Sequence, residues 1–326
     1  IFKNIYSVNN NKMQKNPEKV ICIFGASGFI GRHLIRRLTK KDYRIIAATR
    51  SPYLHGYLKP LGNPGQIDLE KVNLFDEKRL RALIKNSDAV INLVGILYET
   101  KKQKFENIHA KFPDLLSKLC SELNVEKLIH VSALGINETT SSQYMQSKLK
   151  GEKNILNNFG RFAILRPSII FGPEDKFFNQ FASLAEFFPI LPLIGKGLTC
   201  FQPIYVDDVA KSIAAVLEKE EVNNNIYELG GPQTFTFKEL MEILLKQIKK
   251  KRFLVSIPFS FAKFPAKILQ LLPKPLLTVD QVEMLKYDNI VTNKYPTLKD
   301  LKVSPKTIES ILPKYIWRFR KGGQFA

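Results

Sequence analysis

Short apolar runs of strand length alternate with segments of helical periodicity through the first half of the chain. Val20 to Phe24 is the first run, and "YRIIAATR", "EKVNLFD", "DAVINLVG", "KLIHVSA" and "RFAILRPS" continue the series. Helical patterns such as 77–85 and 105–123 lie between them. Such alternation predicts a parallel sheet with helices on both faces, an α/β architecture. A ligand in a sheet of this kind lies beyond the carboxyl ends of the strands.

After "RPSIIFGP" the pattern breaks into "EDKFFNQFASLAEFFPILPLIGKG". Phe177, Phe178, Phe181, Phe187 and Phe188 form a stripe there that suits either a helix packed on the core or a lipophilic pocket. Glu174 and Lys176 border it without an obvious partner. "FQPIYVDDVAKSIAAVLEKE" returns toward the sheet, with Asp207 and Asp208 at a helix N-terminus where carboxylates cap free N–H groups. Thr236 and Glu239 have capping-box spacing. In "IPFSFAKFPAKILQLLPKP", Lys263, Lys267, Gln270 and Lys274 recur at helical spacing. Phe261, Phe264, Ile268, Leu269, Leu271 and Leu272 occupy the rest, and Pro265 predicts a kink or a helix start. Such a helix either meets an anionic membrane or lipid-rich junction, or covers the core with its lysines in solvent. The organisation expected is a basic N-terminal extension (1–17), a nucleotide-binding core (18–170), a substrate-side insertion (171–204), a return to the core (205–231), and a basic, amphipathic, mostly helical C-terminal subdomain (232–326).

Composition sharpens this picture in three places. The chain has 326 residues and is 44% hydrophobic, enough for a large core, and carries a formal charge of +20. That charge suits either an anionic partner (a dinucleotide, an acidic lipid surface, an acidic protein or, least, nucleic acid) or simply a lysine-rich solvated face. No nucleic-acid recognition module accompanies the lysines. From residue 246 onward there are seventeen Lys/Arg against five Asp/Glu, so +12 of the charge lies there. "YIWRFRKGG", with Trp317, Arg318 and Arg320, suits an interfacial anchor or a tail clamp. Cys22, Cys120 and Cys200 form no metal or CxxC spacing and read as buried thiols, and the four histidines are scattered, so no metal is expected. No apolar run reaches 18 residues, the length that predicts a membrane-spanning helix. The first 19 residues, with four lysines and one glutamate, lack a secretory apolar core and read as a processed organellar remnant or an upstream start.

Gly25, Gly28 and Gly31 stand between the first strand and first helix as G-x-x-G-x-x-G. They supply a tight turn, an approach for a pyrophosphate, and close helix–strand packing, with the helix N-terminus aimed at the phosphates. This is the signature of a Rossmann-type, doubly wound sheet. Arg50 ends the second strand where an acidic residue would bind the ribose hydroxyls of NAD. A guanidinium there pairs with a 2′-phosphate, which favours NADPH/NADP. Asn73 is placed for the adenine edge, with Asp76 as a helix cap, and Gly95 lets the chain pass close to the cofactor. Ser27, Phe29 and Ile30 in the glycine motif, Leu93 and Val94 before Gly95, and Pro167 and Ile169 after the sixth strand complete the expected cofactor contacts. Tyr144 and Lys148 fall on one helical face, where the ammonium would lower the tyrosine pKa and hold the nicotinamide ribose. Ser132 can orient a carbonyl or alcohol, and Asn107 can anchor a water leading from the lysine to solvent.

"GASGFIG", "NLVG", "VSA", "YMQSK", "RPSIIFGPED" and "QPIYVDDVA" together resemble the extended, or atypical, short-chain dehydrogenase/reductase superfamily. "FGPEDKFFNQFASLAEFFPILPLIG", "LPKPLLTVDQVEMLK" and "ILPKYIWRFR" are similar to one branch of it, the NADPH-binding 39 kDa accessory subunits of respiratory complex I, with mitochondrial and alphaproteobacterial members. The resemblance spans roughly residues 18 to 322. It implies tightly held NADPH, a role in assembly and stability at the junction of the hydrophilic and membrane arms, and no substrate turnover. In some members the tyrosine–lysine motif is altered, whereas Ser132, Tyr144 and Lys148 are all present here. That leaves a second expectation, an active NADP-dependent reductase, dehydrogenase or epimerase for a lipophilic carbonyl or alcohol such as a quinone or isoprenoid precursor. The location implied is peripheral, on the matrix face of the mitochondrial inner membrane or the cytoplasmic face of a bacterial one.

Overall fold

The computed structural model describes residues 19–136, 141–220, 225–273 and 275–323. The expected N-terminal extension and Lys274 lie outside the described residues. From the start of the described chain, strands and helices alternate: β1 (Val20–Phe24), α1 (Phe29–Leu38), β2 (Arg44–Thr49), β3 (Ile67–Lys71), α2 (Glu77–Ile84), β4 (Ala89–Asn92), α3 (Phe112–Glu122), β5 (Lys127–Val131), α4 (Gln143–Asn158) and β6 (Phe162–Pro167). The chain then leaves the sheet through β7 (Ile170–Phe171), α5 (Phe178–Phe187), β8 (Ile190–Ile194), β9 (Cys200–Phe201) and β10 (Ile204–Tyr205). Helix α6 (Val206–Glu218) leads back to β11 (Asn225–Leu229), and β12 (Phe235–Thr236), α7 (Phe237–Gln247), β13 (Phe253–Ile257), α8 (Phe259–Leu269) and α9 (Val279–Met284) follow.

Seven strands form one parallel sheet in the order β11-β6-β5-β4-β1-β2-β3. Both faces are covered, which is why the strands read as near-continuous apolar runs. Along β1, Ile21 and Ile23 join the core under α1 and α6, while Cys22 and Phe24 join the one under α2 and α3. Strand order reverses on either side of β1, so the crevice beyond β1 and β4 is the switch point at which such sheets bind ligands.

Several local expectations need correction. The strand placed at "EKVNLFD" is instead Ile67–Lys71. Asn73 ends the extended run: its Oδ1 accepts the Phe75 N–H at 3.2 Å and its carbonyl accepts the Asp76 N–H at 3.1 Å. Asp76 then caps α2 through the Arg79 N–H at 3.0 Å, as expected. The helix over 105–123 opens with a π-turn, Glu106–Lys111, in which Phe112 N–H bonds Asn107 O. Pro113 has no N–H to offer His109 O, the carbonyl one turn back. Asp207 and Asp208 lie in the first turn of α6 but cap nothing with their side chains. Asp207 takes both oxygens to Arg37 (3.0 and 2.9 Å), and Asp208 pairs with Lys211 and accepts the Lys306 N–H. Glu174 has a partner after all, an ion pair with Arg32 of α1. Cys22 and Cys120 are buried, with the Cys22 thiol pushed up to about 12 by burial, but Cys200 is only partly buried.

The phenylalanine stripe divides. Phe178 is in the core and Phe177 and Phe181 pack around Phe237, whereas Phe187 and Phe188 face solvent. The capping box of Thr236 and Glu239 forms at the start of α7. Helix α8 runs through Pro265 rather than starting there. The tail is a clamp: Arg318 reaches Pro173 O and Asn179, and Arg320 donates to Gln247 O at 2.7 Å.

Candidate cofactor site

The turn after β1 has the geometry the glycines predict. Gly25 has φ +82°, and a Cβ there would lie 3.1 Å from the Leu93 carbonyl carbon, so only glycine fits between β1 and β4. A Cβ on Gly31 would stand 2.3 Å from Ala26 O, so α1 packs onto the turn at a distance no side chain permits. Gly28 is exposed at the N-cap of α1, with no side chain capping the amides that follow and no acidic residue in the first turn. That is a main-chain cradle for a diphosphate.

Around the cradle, Ser27 Oγ lies 3.5 Å from Thr49 Oγ1, and Phe29 packs beside Gly172, while Ile30 joins the core edge. Arg50 is exposed just past β2 and forms no ion pair among the described residues. Asn73 is exposed past β3, although its side-chain oxygen is engaged in its own turn. Leu93 and Val94 continue β4 past Phe24, with the Val94 N–H held by Asn92 Oδ1 at 3.0 Å. Gly95 leads to Lys148, whose Nζ would sit 3.5 Å from a Cβ there. Pro167 is buried at the end of β6, and its carbonyl and that of Ile169 hold the Leu134 and Ile204 N–H groups.

Tyr144 and Lys148 project from α4, and Lys148 Nζ donates to Val131 O at 3.2 Å, directly before Ser132. Ser132 Oγ is buried with no hydrogen-bond partner among the described residues. Burial lowers the Lys148 pKa to about 8, with Glu152 opposing. The expected lowering of Tyr144 is not found. Burial, with the Asp280 charge adding to it, raises its pKa to about 12. The ring is only 8% exposed and stands edge-on to Phe105 and His109, at 5.7 and 5.2 Å between centroids. Asn107 sits in the π-turn with its carbonyl bonded to Phe112, and its side chain makes no hydrogen bond to a described residue.

Four further groups complete the site without having been singled out. His109 Nε2 accepts the Ile96 N–H at 3.1 Å, which makes Nδ1–H the donor to Ser147 Oγ at 3.0 Å, and Ser147 in turn donates to Tyr144 O. Burial and the Lys148 charge hold that imidazole neutral, its pKa down to about 2. Glu152 and Arg166 form a buried two-bonded pair at 3.0 and 2.6 Å. Asp280 of α9 closes the N-terminus of α4. Asp175 accepts the Tyr315 hydroxyl at 2.6 Å and the Gly172 N–H at 3.1 Å, tying the tail to the end of β7. The only sequence signals were a glutamate one turn after Lys148 and the acid in "GPED".

The cradle, the partnerless Ser132 hydroxyl and the buried ammonium fit a dinucleotide: phosphates at the α1 amides, a ribose near Lys148. Residues 21–230 match the sequence model of the NAD dependent epimerase/dehydratase family. The chain belongs to that family. Its NAD(P)-binding Rossmann core and the motif resemblance described above are thereby borne out. Among relatives within the family, the chain is 33% identical over 316 residues to NADH dehydrogenase (ubiquinone) 1 alpha subcomplex subunit 9, mitochondrial, of Arabidopsis thaliana, covering 93% of this chain and 79% of that one. It is 27% identical to the NADH-ubiquinone oxidoreductase 40 kDa subunit, mitochondrial, of Neurospora crassa, covering 93% and 80%. Its fold matches a dTDP-glucose 4,6-dehydratase from Streptomyces venezuelae solved with NAD and TYD bound, at TM-score 0.70 and 18% identity over 92% of this chain and 96% of that one. Among the described residues, no helix is long and apolar enough to cross a membrane, and no group of three or more His, Cys, Asp or Glu is placed to hold a metal.

Proposed function

We propose that the chain is an NADP(H)-binding peripheral subunit of respiratory complex I, NADH:ubiquinone oxidoreductase, or a protein associated with it, with a dinucleotide that chiefly stabilises the fold. One observation carries this reading. The family match ends at residue 230, yet the likeness to the complex I subunits extends over 93% of the chain, so it includes the C-terminal subdomain. The +12 charge of the last quarter suits a place at the junction of the hydrophilic and membrane arms, against an anionic membrane surface. The corresponding location is the matrix face of the mitochondrial inner membrane, or the cytoplasmic face in a bacterium.

NADP(H) is preferred because Arg50 stands where a ribose-binding carboxylate would be, free to pair with a 2′-phosphate. Lys148 would hold the nicotinamide ribose, and Ser132 would give its unused hydroxyl to the nicotinamide side of the pocket. When bound, the nicotinamide supplies a hydride donor or acceptor. Tyr144 is the group on this chain able to pass a proton to a substrate oxygen, with Ser132 orienting that oxygen, and the completeness of this set favours a second reading as an active reductase. The depth of Tyr144 and its high pKa weigh against turnover.

Purification from solubilised membranes tests the first reading: complex I and NADPH should both accompany the chain. Tyr144→Phe should leave that association unchanged; loss of a measurable reductase activity with it would establish the second reading instead. Arg50→Glu should weaken retention of NADPH far more than of NADH, and equal weakening would reject the cofactor choice.

A further inference from the structure

Helix α8 is seated by its small residues. Ala262 and Ala266, one turn apart, are buried against Ile194 and Val282. At 100° per residue, Phe261, Phe264 and Ile268 fall on the opposite side, and Leu271 lies in the turn just past the helix end. Both phenylalanines are 72% exposed and Leu271 is 82% exposed. Strand β13, separated from α8 by Pro258 alone, turns Phe253 to solvent as well, beside its register partner Ile190. Phe259 at the helix start packs inward with the alanines, but turning Phe261 and Phe264 outward on the far side inverts the arrangement of a helix that merely covers a core.

The charge around this face indicates what covers it. Residues 243–279 contain eight Lys/Arg and no Asp or Glu. Lys251 and Arg252 directly precede Phe253, and Lys267 lies among the exposed apolar positions of α8. Among the described residues Lys263 is paired with Glu283 of α9 and Lys250 with Glu186 of α5, at 3.7 Å, and the other basic residues of the segment have no acidic partner. We infer that the α8–β13 face lies in the interface of an anionic phospholipid bilayer, with Phe261, Phe264, Ile268 and Leu271 among the acyl chains and the lysines level with the phosphates. An apolar strip edged mostly by cations matches that layered chemistry, and an eleven-residue helix can lie in the interface but cannot span it. The inference rests on the peripheral-subunit reading only for where the membrane is encountered, and identifies which surface meets it.

The test uses the full chain with NADPH present and two sets of vesicles, phosphatidylcholine alone and phosphatidylcholine with about a third phosphatidylglycerol. The protein should sediment with the anionic vesicles and be released by salt. Phe261→Ser/Phe264→Ser should weaken partitioning at least ~ten-fold, and Lys267→Gln about five-fold, the effect of one lysine at an anionic surface. Retention of NADPH and the circular dichroism spectrum should not change in either variant. No binding to anionic vesicles, or equal binding by the variants, overturns the inference, and so does loss of complex I association in lipid-free detergent by the double variant, which would assign the face to a protein. Failure on vesicles with complex I and NADPH still co-purifying leaves the proposed function standing.

Discussion

Asp280 gives the sharpest test of how the C-terminal region serves the cofactor site. Its Oδ1 accepts the Gln143 N–H at 2.7 Å, and its Oδ2 accepts the Tyr144 N–H at 3.2 Å and the Ser142 hydroxyl at 2.9 Å. Ser142 Oγ itself accepts the Met145 N–H at 3.2 Å, so the start of α4 is capped twice over, once from within and once from α9. In Asp280→Ala, the exposed Gln143 N–H turns to water, whereas the Tyr144 N–H is part-buried and loses its partner. A hydrogen bond to an ionised acceptor contributes roughly 1.5–3 kcal/mol, and the carboxylate at a helix N-terminus adds about 0.5 kcal/mol. The expected cost is therefore about 2–3 kcal/mol. With a urea slope of about 3 kcal/mol per molar, the unfolding midpoint falls by roughly 0.7–1 M. Asp280→Asn keeps an acceptor oxygen but not the charge and should fall between. The same loss of charge brings the Tyr144 pKa down from about 12, because Asp280 is one of the two causes that raise it; the 13Cζ resonance of labelled tyrosine followed through a pH titration reads this directly. An unchanged midpoint in Asp280→Ala, or an Asn variant no more stable than Ala, would falsify the capping argument.

Two other perturbations follow from buried charge. Lys148 has a folded pKa of about 8 against 10.5 for the free side chain, so between those values the unfolded chain binds the extra proton and stability rises with pH. Tyr144 acts in the opposite sense between 10 and about 12, where the folded state keeps its proton and stability falls. Urea midpoints of the cofactor-free protein should accordingly climb from about pH 8 until the Cys22 and Cys120 thiols, raised by burial from 9.0, begin to oppose the gain near pH 9, and then drop. Lys148→Met should remove most of the climb and keep the drop; a climb that survives the substitution undiminished refutes the assignment. Glu152→Gln strands the Arg166 guanidinium at 4% exposure and should cost about 3–5 kcal/mol. The double substitution Glu152→Met/Arg166→Met should recover most of that loss, as measured by the same unfolding curves.

What the sequence made legible is what depends on neighbours along the chain. Gly25 to Gly31 span one turn and Tyr144 to Lys148 span one helical turn, so spacing alone places them. The sheet was legible for the same reason, since a strand buried on both faces announces itself by an unbroken apolar run. The end of β3 was not, because Val72 is apolar and buried while the turn is made by the side chain of Asn73. The remaining misses are contacts between distant segments. Asp280 meets α4 across 136 residues, Glu174 meets Arg32 across the sheet edge, and Asp207 finds Arg37, so local capping logic named the wrong partners for that aspartate. His109 reads as a scattered histidine until the fold sets its two nitrogens between Ile96 and Ser147.

The groups gathered beneath the glycine turn also bear on why a dinucleotide would be kept without turnover. Glu152, the nearest acid along α4, is committed to Arg166, so Lys148 has a backbone carbonyl and no carboxylate of its own. His109 and His130 are held neutral by burial beside that charge, and His130 Nε2 and Ser132 Oγ have no partner among the described residues. Each unpaired buried group costs roughly 1–3 kcal/mol, and all lie on one side of the switch-point crevice. A ligand that brings hydroxyls and negative charge to them gains from the fold what the fold lacks alone, and at a hundred times Kd it stabilises by about 2.7 kcal/mol. That gain falls on the first turns of α4, the same end that Asp280 ties to the C-terminal region. A bound dinucleotide and the C-terminal region would therefore brace the same end of one helix, and a chain selected for a rigid docking surface would keep Tyr144, Lys148 and Ser132 with no substrate to reduce.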